Sequence, residues 1–169
     1  MIYLIGFMGT GKTSTGKELS KLFNEKLLDT DELIVKEQKK TIPEIFDEAG
    51  EKGFREIETG VFKNLSEKND SCVISCGGGA PLNPVNVSYM KKNGTVVRLT
   101  ATASTVYDRV KDDTGRPLLR SEDPMKRITE LMSEREGAYS KAADLTIETD
   151  GKTPEQVALQ IYKTLTKQE

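Results

Sequence analysis

Met1-Ile2-Tyr3-Leu4-Ile5-Gly6-Phe7-Met8-Gly9-Thr10-Gly11-Lys12-Thr13-Ser14 opens the chain and decides how the rest is read. Ile2–Ile5 is an apolar run of strand length. Gly6 to Thr13 then fits G-x-x-x-x-G-K-[ST] in full, and Lys12–Phe23 places Leu19, Leu22 and Phe23 on one helical face. A strand running through a glycine loop into a helix turns successive backbone N–H groups toward one point, at the positive end of the helix dipole. That geometry holds phosphates. The loop predicts ATP with magnesium, with Gly9, Thr10, Gly11, Lys12, Thr13 and Ser14 around the nucleotide. Lys12 reaches the β- and γ-phosphates as a point charge, and the Thr13 hydroxyl ligates the metal.

Outward from the loop, apolar runs alternate with helical patterns, which predicts βαβ units and a parallel sheet. The candidate strands are Ile2–Ile5, Lys26–Leu28, Cys72–Ser75, Thr95–Leu99 and Leu145–Glu148. Helical patterns cover Lys12–Phe23, Asp31–Lys39, a short piece opening at Thr41-Ile42-Pro43-Glu44, Glu51–Leu65 and Pro124–Ala142. Thr153-Pro154-Glu155-Gln156 is a capping box that opens a last helix. Segment 111–123, KDDTGRPLLRSED, lacks periodicity and reads either as a solvated connection or as a mobile lid carrying Arg116.

Composition narrows the class. The chain has 169 residues, 36% apolar and 31% charged, which suits one globular domain with a real core. A net charge of −2 gives no broad attraction for nucleic acid, so an anionic ligand needs a local cluster of Lys and Arg. No apolar run is long enough to span a membrane, and the first residues read as a strand rather than a basic leader, so a cytoplasmic protein is expected. The chain contains no histidine, which excludes hydrolytic mechanisms built on an imidazole base. Cys72 and Cys76 are too few for a zinc site and are expected as free, buried thiols. A monomer is the default expectation.

Several charged residues are misplaced for a plain core. Asp29 and Asp31 stand at alternate positions where the second strand ends, so both carboxylates can face the phosphate loop; Asp31 equally suits a helix N-cap. Phe54, Ile57, Val61, Phe62 and Leu65 make an apolar stripe with Glu58 in its middle and Arg55 on its edge. These two are either a surface pair or a buried charge with a purpose. Arg135 falls within the stripe of Ile128, Leu131, Met132 and Tyr139, either snorkelling to water or turned inward. Two inward guanidinium groups suit an acceptor bearing a carboxylate. Gly77-Gly78-Gly79 follows the third strand, as a simple turn or as bare backbone that a ligand approaches closely.

The segments LLDTD, FREIE, CGGGA, TGRPLL and ERxxxY, in this order behind GFMGTGKT, resemble the shikimate kinase family along nearly the whole chain. The resemblance implies a P-loop kinase with a five-stranded parallel sheet, helices on both faces and a mobile lid. It implies transfer of the ATP γ-phosphate to the 3-hydroxyl of shikimate. By this likeness Arg55 and Arg135 take the shikimate carboxylate, Asp31 takes its hydroxyls, and Gly77, Gly78 and Gly79 line the same site. Asp29 holds magnesium through water beside Thr13, Glu58 braces Arg55, and Arg116 swings onto the phosphates. Arg109 and Pro154 lie against adenine, with Lys152 near the same end, where relatives often carry Arg. Lys12, Asp31 and Arg116 are then the catalytic candidates. The rival readings are a gluconate-type kinase, a nucleoside monophosphate kinase and a non-catalytic nucleotide-binding regulator. FREIE, GGG and RPLL together weigh against the first; the second calls for a base-reading pocket and usually a larger lid, neither of which the sequence shows; and the third should have lost some of these residues.

Overall fold

A computed structural model describes residues 1–112 and 122–167. Its strands are β1 (Ile2–Ile5), β2 (Lys26–Asp29), β3 (Cys72–Ser75), β4 (Thr95–Thr100) and β5 (Leu145–Glu148). They form one parallel sheet in the order β2-β3-β1-β4-β5. The helices are α1 (Lys12–Phe23), α2 (Thr30–Gln38), α3 (Ile42–Ser66), α4 (Pro84–Asn93), α5 (Ala103–Val110), α6 (Pro124–Ala142) and α7 (Pro154–Thr166).

Alternation along the strands splits the core in two. Leu4, Val73, Val97 and Ile147 point to one face, where Leu19 of α1 and Val157 and Ile161 of α7 cover them. Tyr3, Ile5, Ile74 and Val96 point to the other, beneath Ile34, Phe62, Met90, Val106 and Ile128 of the helices from α2 to α6. Both faces of a parallel sheet must be covered in this way, because its crossover helices lie upon them.

The helix ends follow local chemistry. Thr41 and Thr153 make full capping boxes with Glu44 and Gln156, and Asp123 accepts from Lys126 N to start α6. Inside α3, Gly50 leaves helical geometry (φ 66°), dividing the element into the short and long pieces expected from the pattern. The sequence reading differs at α2, which begins at Thr30 rather than Asp31. Asp29 is the N-cap and its carboxylate accepts from Asp31 N, so Asp31 belongs to the first helical turn. Of segment 111–123, Lys111 closes α5 and Asp123 opens α6, while Arg116 lies outside the described residues.

Strand order reverses at β1, which has β3 on one side and β4 on the other. Ligands of open α/β sheets sit at that switch point, beyond the strand C-termini. The Gly6–Thr13 loop leaves β1 there.

Candidate active site

The loop closes on itself first. Lys12 Nζ donates to Gly6 O at 2.9 Å and Phe7 O at 3.0 Å, spanning the ring of backbone that it caps. Thr10 is 1% exposed and its hydroxyl donates inward to Phe7 O at 2.8 Å, so its side chain serves the loop, and its backbone is what remains for a ligand. Gly11 adopts φ +88° at the N-cap of α1, a conformation that disfavours any side chain, and leaves the first N–H groups of that helix open.

Across the sheet edge from the loop lie the other candidates. A cleft of about 510 Å³ is lined by Gly9, Gly11, Lys12, Thr13 and Ser14 on one side and by Asp29, Asp31, Gly77, Gly78, Gly79 and Arg135 on the other. Register explains the meeting, since β2 pairs with β3 so that Asp29 stands beside Ser75. Ser75 was not anticipated from the sequence, yet its hydroxyl lies 3.2 Å from Thr13 Oγ1. Burial and the neighbouring Asp29 push the Asp31 carboxyl above its ordinary range, against the pull of Lys12 and Arg55.

Arg55 stands behind this cleft. Its Nη1 donates to Glu58 Oε2 at 2.9 Å, and Glu58 is 1% exposed. Burial raises the Glu58 carboxyl despite the guanidinium that pulls it down. A Cβ on Gly79 would land within the Arg55 guanidinium, so the glycine is what allows the two to approach. Arg135 turns inward and lies with its guanidinium carbon 5.7 Å from the Phe7 ring centre. The two guanidinium groups thus flank the glycine turn.

A second cleft of about 360 Å³ shares Gly9, Gly11 and Ser14 and adds Thr10, Arg109, Lys152 and Pro154. Arg109 donates to Gly9 O at 3.1 Å and to Thr149 Oγ1 at 3.0 Å, tying the loop to the end of β5. Lys152 Nζ donates to Glu148 O at 2.8 Å. A larger concavity, about 930 Å³, opens near the strand N-termini beside Lys26 and Cys72. It holds none of the candidate site residues, so size does not mark the site. Cys72 and Cys76 are free and buried, as expected.

Among the described residues no cluster of three or more Cys, Asp and Glu side chains converges as a metal cage. Oxygens beside the loop include those of Thr13, Ser14, Ser75, Asp29 and Asp31. Hard oxygen donors of this kind suit magnesium, which keeps much of its water and borrows the rest of its shell from phosphates.

The profile of the family described as "Shikimate kinase" matches residues 8–166. The chain belongs to the shikimate kinase family. Among curated members, the shikimate kinase of Thermodesulfovibrio yellowstonii is 44% identical over 162 residues, covering 96% of this chain and 92% of its own. That of Hahella chejuensis is 45% identical, covering 97% and 85%. Solved members of the family superpose throughout. The Acinetobacter baumannii shikimate kinase, determined in complex with shikimate, has a TM-score of 0.91 at 35% identity, over 99% of this chain and 93% of its own. The Aquifex aeolicus enzyme has a TM-score of 0.82 at 41% identity, over 98% and 95%. The family uses ATP, in keeping with the intact Gly6–Thr13 loop.

Proposed function

We propose that this chain transfers the γ-phosphoryl group of ATP to the 3-hydroxyl of shikimate, giving shikimate 3-phosphate in aromatic amino-acid biosynthesis. One observation carries the reading: a single cleft joins the complete phosphate loop to two acids, a bare glycine turn and Arg135, with Arg55 directly behind. Phosphate chemistry and carboxylate recognition therefore share one space.

Each residue has a task in this reading. Backbone N–H groups from Gly9 to Ser14 hold the phosphates, and Lys12 neutralises charge on the β- and γ-groups. Thr13 directly, and Asp29 through water, would hold magnesium, which would supply positive charge to offset that developing on the phosphates. Arg55 and Arg135 grip the acceptor carboxylate with paired N–H donors. Asp31 accepts from the acceptor hydroxyls and aligns one with the γ-phosphorus. The bond from that phosphorus to the β-bridging oxygen breaks as the new oxygen–phosphorus bond forms, ADP departs, and the hydroxyl proton passes to water. So loose a transition state asks for positioning more than for a strong base. Glu58 orients Arg55. Arg109, Lys152 and Pro154 take the adenine end, and Arg116, outside the described residues, is assigned to the phosphates.

The chain is proposed to work as a monomer in the cytoplasm. Its exposed large apolar residues include Leu22, Leu82 and Leu159, which lie on different elements. Free buried thiols suit a reducing compartment.

A coupled assay with ATP and either shikimate, gluconate or a panel of nucleoside monophosphates tests the reading. Turnover of shikimate with little on the others is expected. Arg55→Lys and Arg135→Lys should each raise KM for shikimate, because Lys lacks the two-pronged fork. An unchanged KM in either variant, or preference for another acceptor, overturns the assignment.

A further inference from the structure

Gly77–Gly79 walls the cleft between Arg55 and Arg135, yet it has no side chains to hold its own shape. Its downstream half is a pair of tight turns, with Ala80 N donating to Gly77 O and Leu82 N to Gly79 O, each at 3.0 Å. Its upstream half is gripped by two hydroxyls from distant elements. Thr30 Oγ1, fully buried at the start of α2, accepts from Gly77 N at 2.9 Å. Tyr139 on α6, 2% exposed, donates its hydroxyl to Gly78 O at 2.7 Å.

Both hydroxyls sit beside residues of the site. Thr30 lies between Asp29 and Asp31, and Tyr139 lies one helical turn beyond Arg135. The first bond therefore ties the turn to the two acids, and the second ties it to a guanidinium. The Tyr139 ring lies in the core, with the Arg98 guanidinium carbon 5.8 Å from its centre. A glycine turn without such holds explores many backbone states, and ordering it on binding would cost affinity.

We propose that Thr30 and Tyr139 are positioning residues that clamp Gly77–Gly79 from both sides and set acceptor affinity without touching the acceptor. The proposal rests on the acceptor site described under the proposed function. It separates these residues from Lys12, Thr13 and the adenine-end group, whose ligand is the nucleotide.

Thr30→Val and Tyr139→Phe remove one hydroxyl each while keeping shape, and Thr30→Ser keeps the hydroxyl. Amide exchange across residues 77–79 and KM for both substrates are measured in the wild type and all three variants. Removing either hydroxyl should speed exchange in the turn about tenfold. It should raise KM for shikimate about 5- to 30-fold, as for a lost buried hydrogen bond, with KM for ATP within about twofold. Thr30→Ser should recover most of the loss. Exchange that stays slow, or KM values that rise together for both substrates, overturns the clamp in an enzyme that still phosphorylates shikimate. A wild-type enzyme inert toward shikimate instead overturns the acceptor assignment and the kinetic half of the proposal, and the exchange rates still decide whether the hydroxyls hold the turn. Should Thr30→Val fail to fold, Tyr139→Phe applies the same test from the other side of the turn.

Discussion

Arg55 and Glu58 stand one helical turn apart on α3, 2.9 Å between Nη1 and Oε2, and the acid is the member that is fully buried. Side-chain exposure is 31% for the arginine against 1% for the glutamate. The pair therefore faces one way: the acid is fixed from within and the guanidinium is presented outward, toward Gly79. An exposed i,i+3 pair would contribute a few tenths of a kcal/mol and no direction.

That asymmetry predicts a split between stability and function. Burial raises the Glu58 carboxyl above its ordinary value of 4.5, so the folded state holds this proton more tightly than the unfolded chain does. The contribution to stability is greatest below the unfolded value and declines as pH rises from there through the folded value. Glu58→Gln, neutral throughout, should flatten this slope and gain on the wild type as pH rises, in thermal unfolding across that window. The same variant should raise KM for shikimate at neutral pH, because Arg55 loses its brace. A parallel slope in both proteins would refute the linkage.

Gly79→Ala offers a steric test. The added methyl would fall within the Arg55 guanidinium, so the fork must swing away. KM for shikimate should increase at least about tenfold, comparable to losing a charged hydrogen bond. KM for ATP should hold, since the phosphate loop lies on the other wall. Equal losses for both substrates would mean that the turn as a whole had collapsed.

Much of this frame is legible in the sequence. α1, α6 and α7 start where Gly11-Lys12, Pro124 and the Thr153 capping box place them, because capping chemistry is local. The apolar stripe around Glu58 identifies a buried acid because its spacing is local too. α4 and α5 do not stand out by periodicity, although Asn83-Pro84 and Thr102 cap them. α4 buries Asn86 as well as Met90, which blurs its pattern. The start of α2 is ambiguous because Asp29 and Asp31 both suit an N-cap, and only the fold chooses between them. Thr30 with Gly77, Ser75 with Thr13 and Arg98 with Glu136 are separated by tens of residues, and strand order brings them together. No local spacing encodes such pairs.

Lys12→Ala should act on the chemistry. The ammonium spans Gly6 O and Phe7 O, and Lys12 lines the cleft that the loop shares with Asp29 and Asp31. Loss of one preorganised transition-state donor costs about 3–4 kcal/mol, so kcat/KM should fall about 100- to 1000-fold. Steady-state kinetics with saturating shikimate measures it. A decrease below about tenfold would remove Lys12 from the central role.

The last prediction concerns the helix that carries Arg135. Arg98, 10% exposed on β4, donates through Nη1 to Glu136 Oε1 at 2.8 Å and to Ser140 Oγ at 2.8 Å, pinning α6 to the sheet. Its partner is 58% exposed, and the hydrogen bonds from Arg98 draw the Glu136 carboxyl below its usual range. Removing either end should therefore have unequal effects. Arg98→Met leaves a glutamate that water can solvate and should cost about 1 kcal/mol. Glu136→Ala leaves a buried guanidinium with only Ser140 and the Tyr139 ring beside it and should cost more, about 2–3 kcal/mol. The sign of the pH effect follows from the lowered carboxyl: the wild-type advantage over Glu136→Gln is present above the unfolded glutamate value and disappears as pH falls through the folded one. Urea unfolding of the three variants decides the matter. If Arg98→Met proved the more damaging change, the pair would be acting through packing of the arginine stem rather than through its charge.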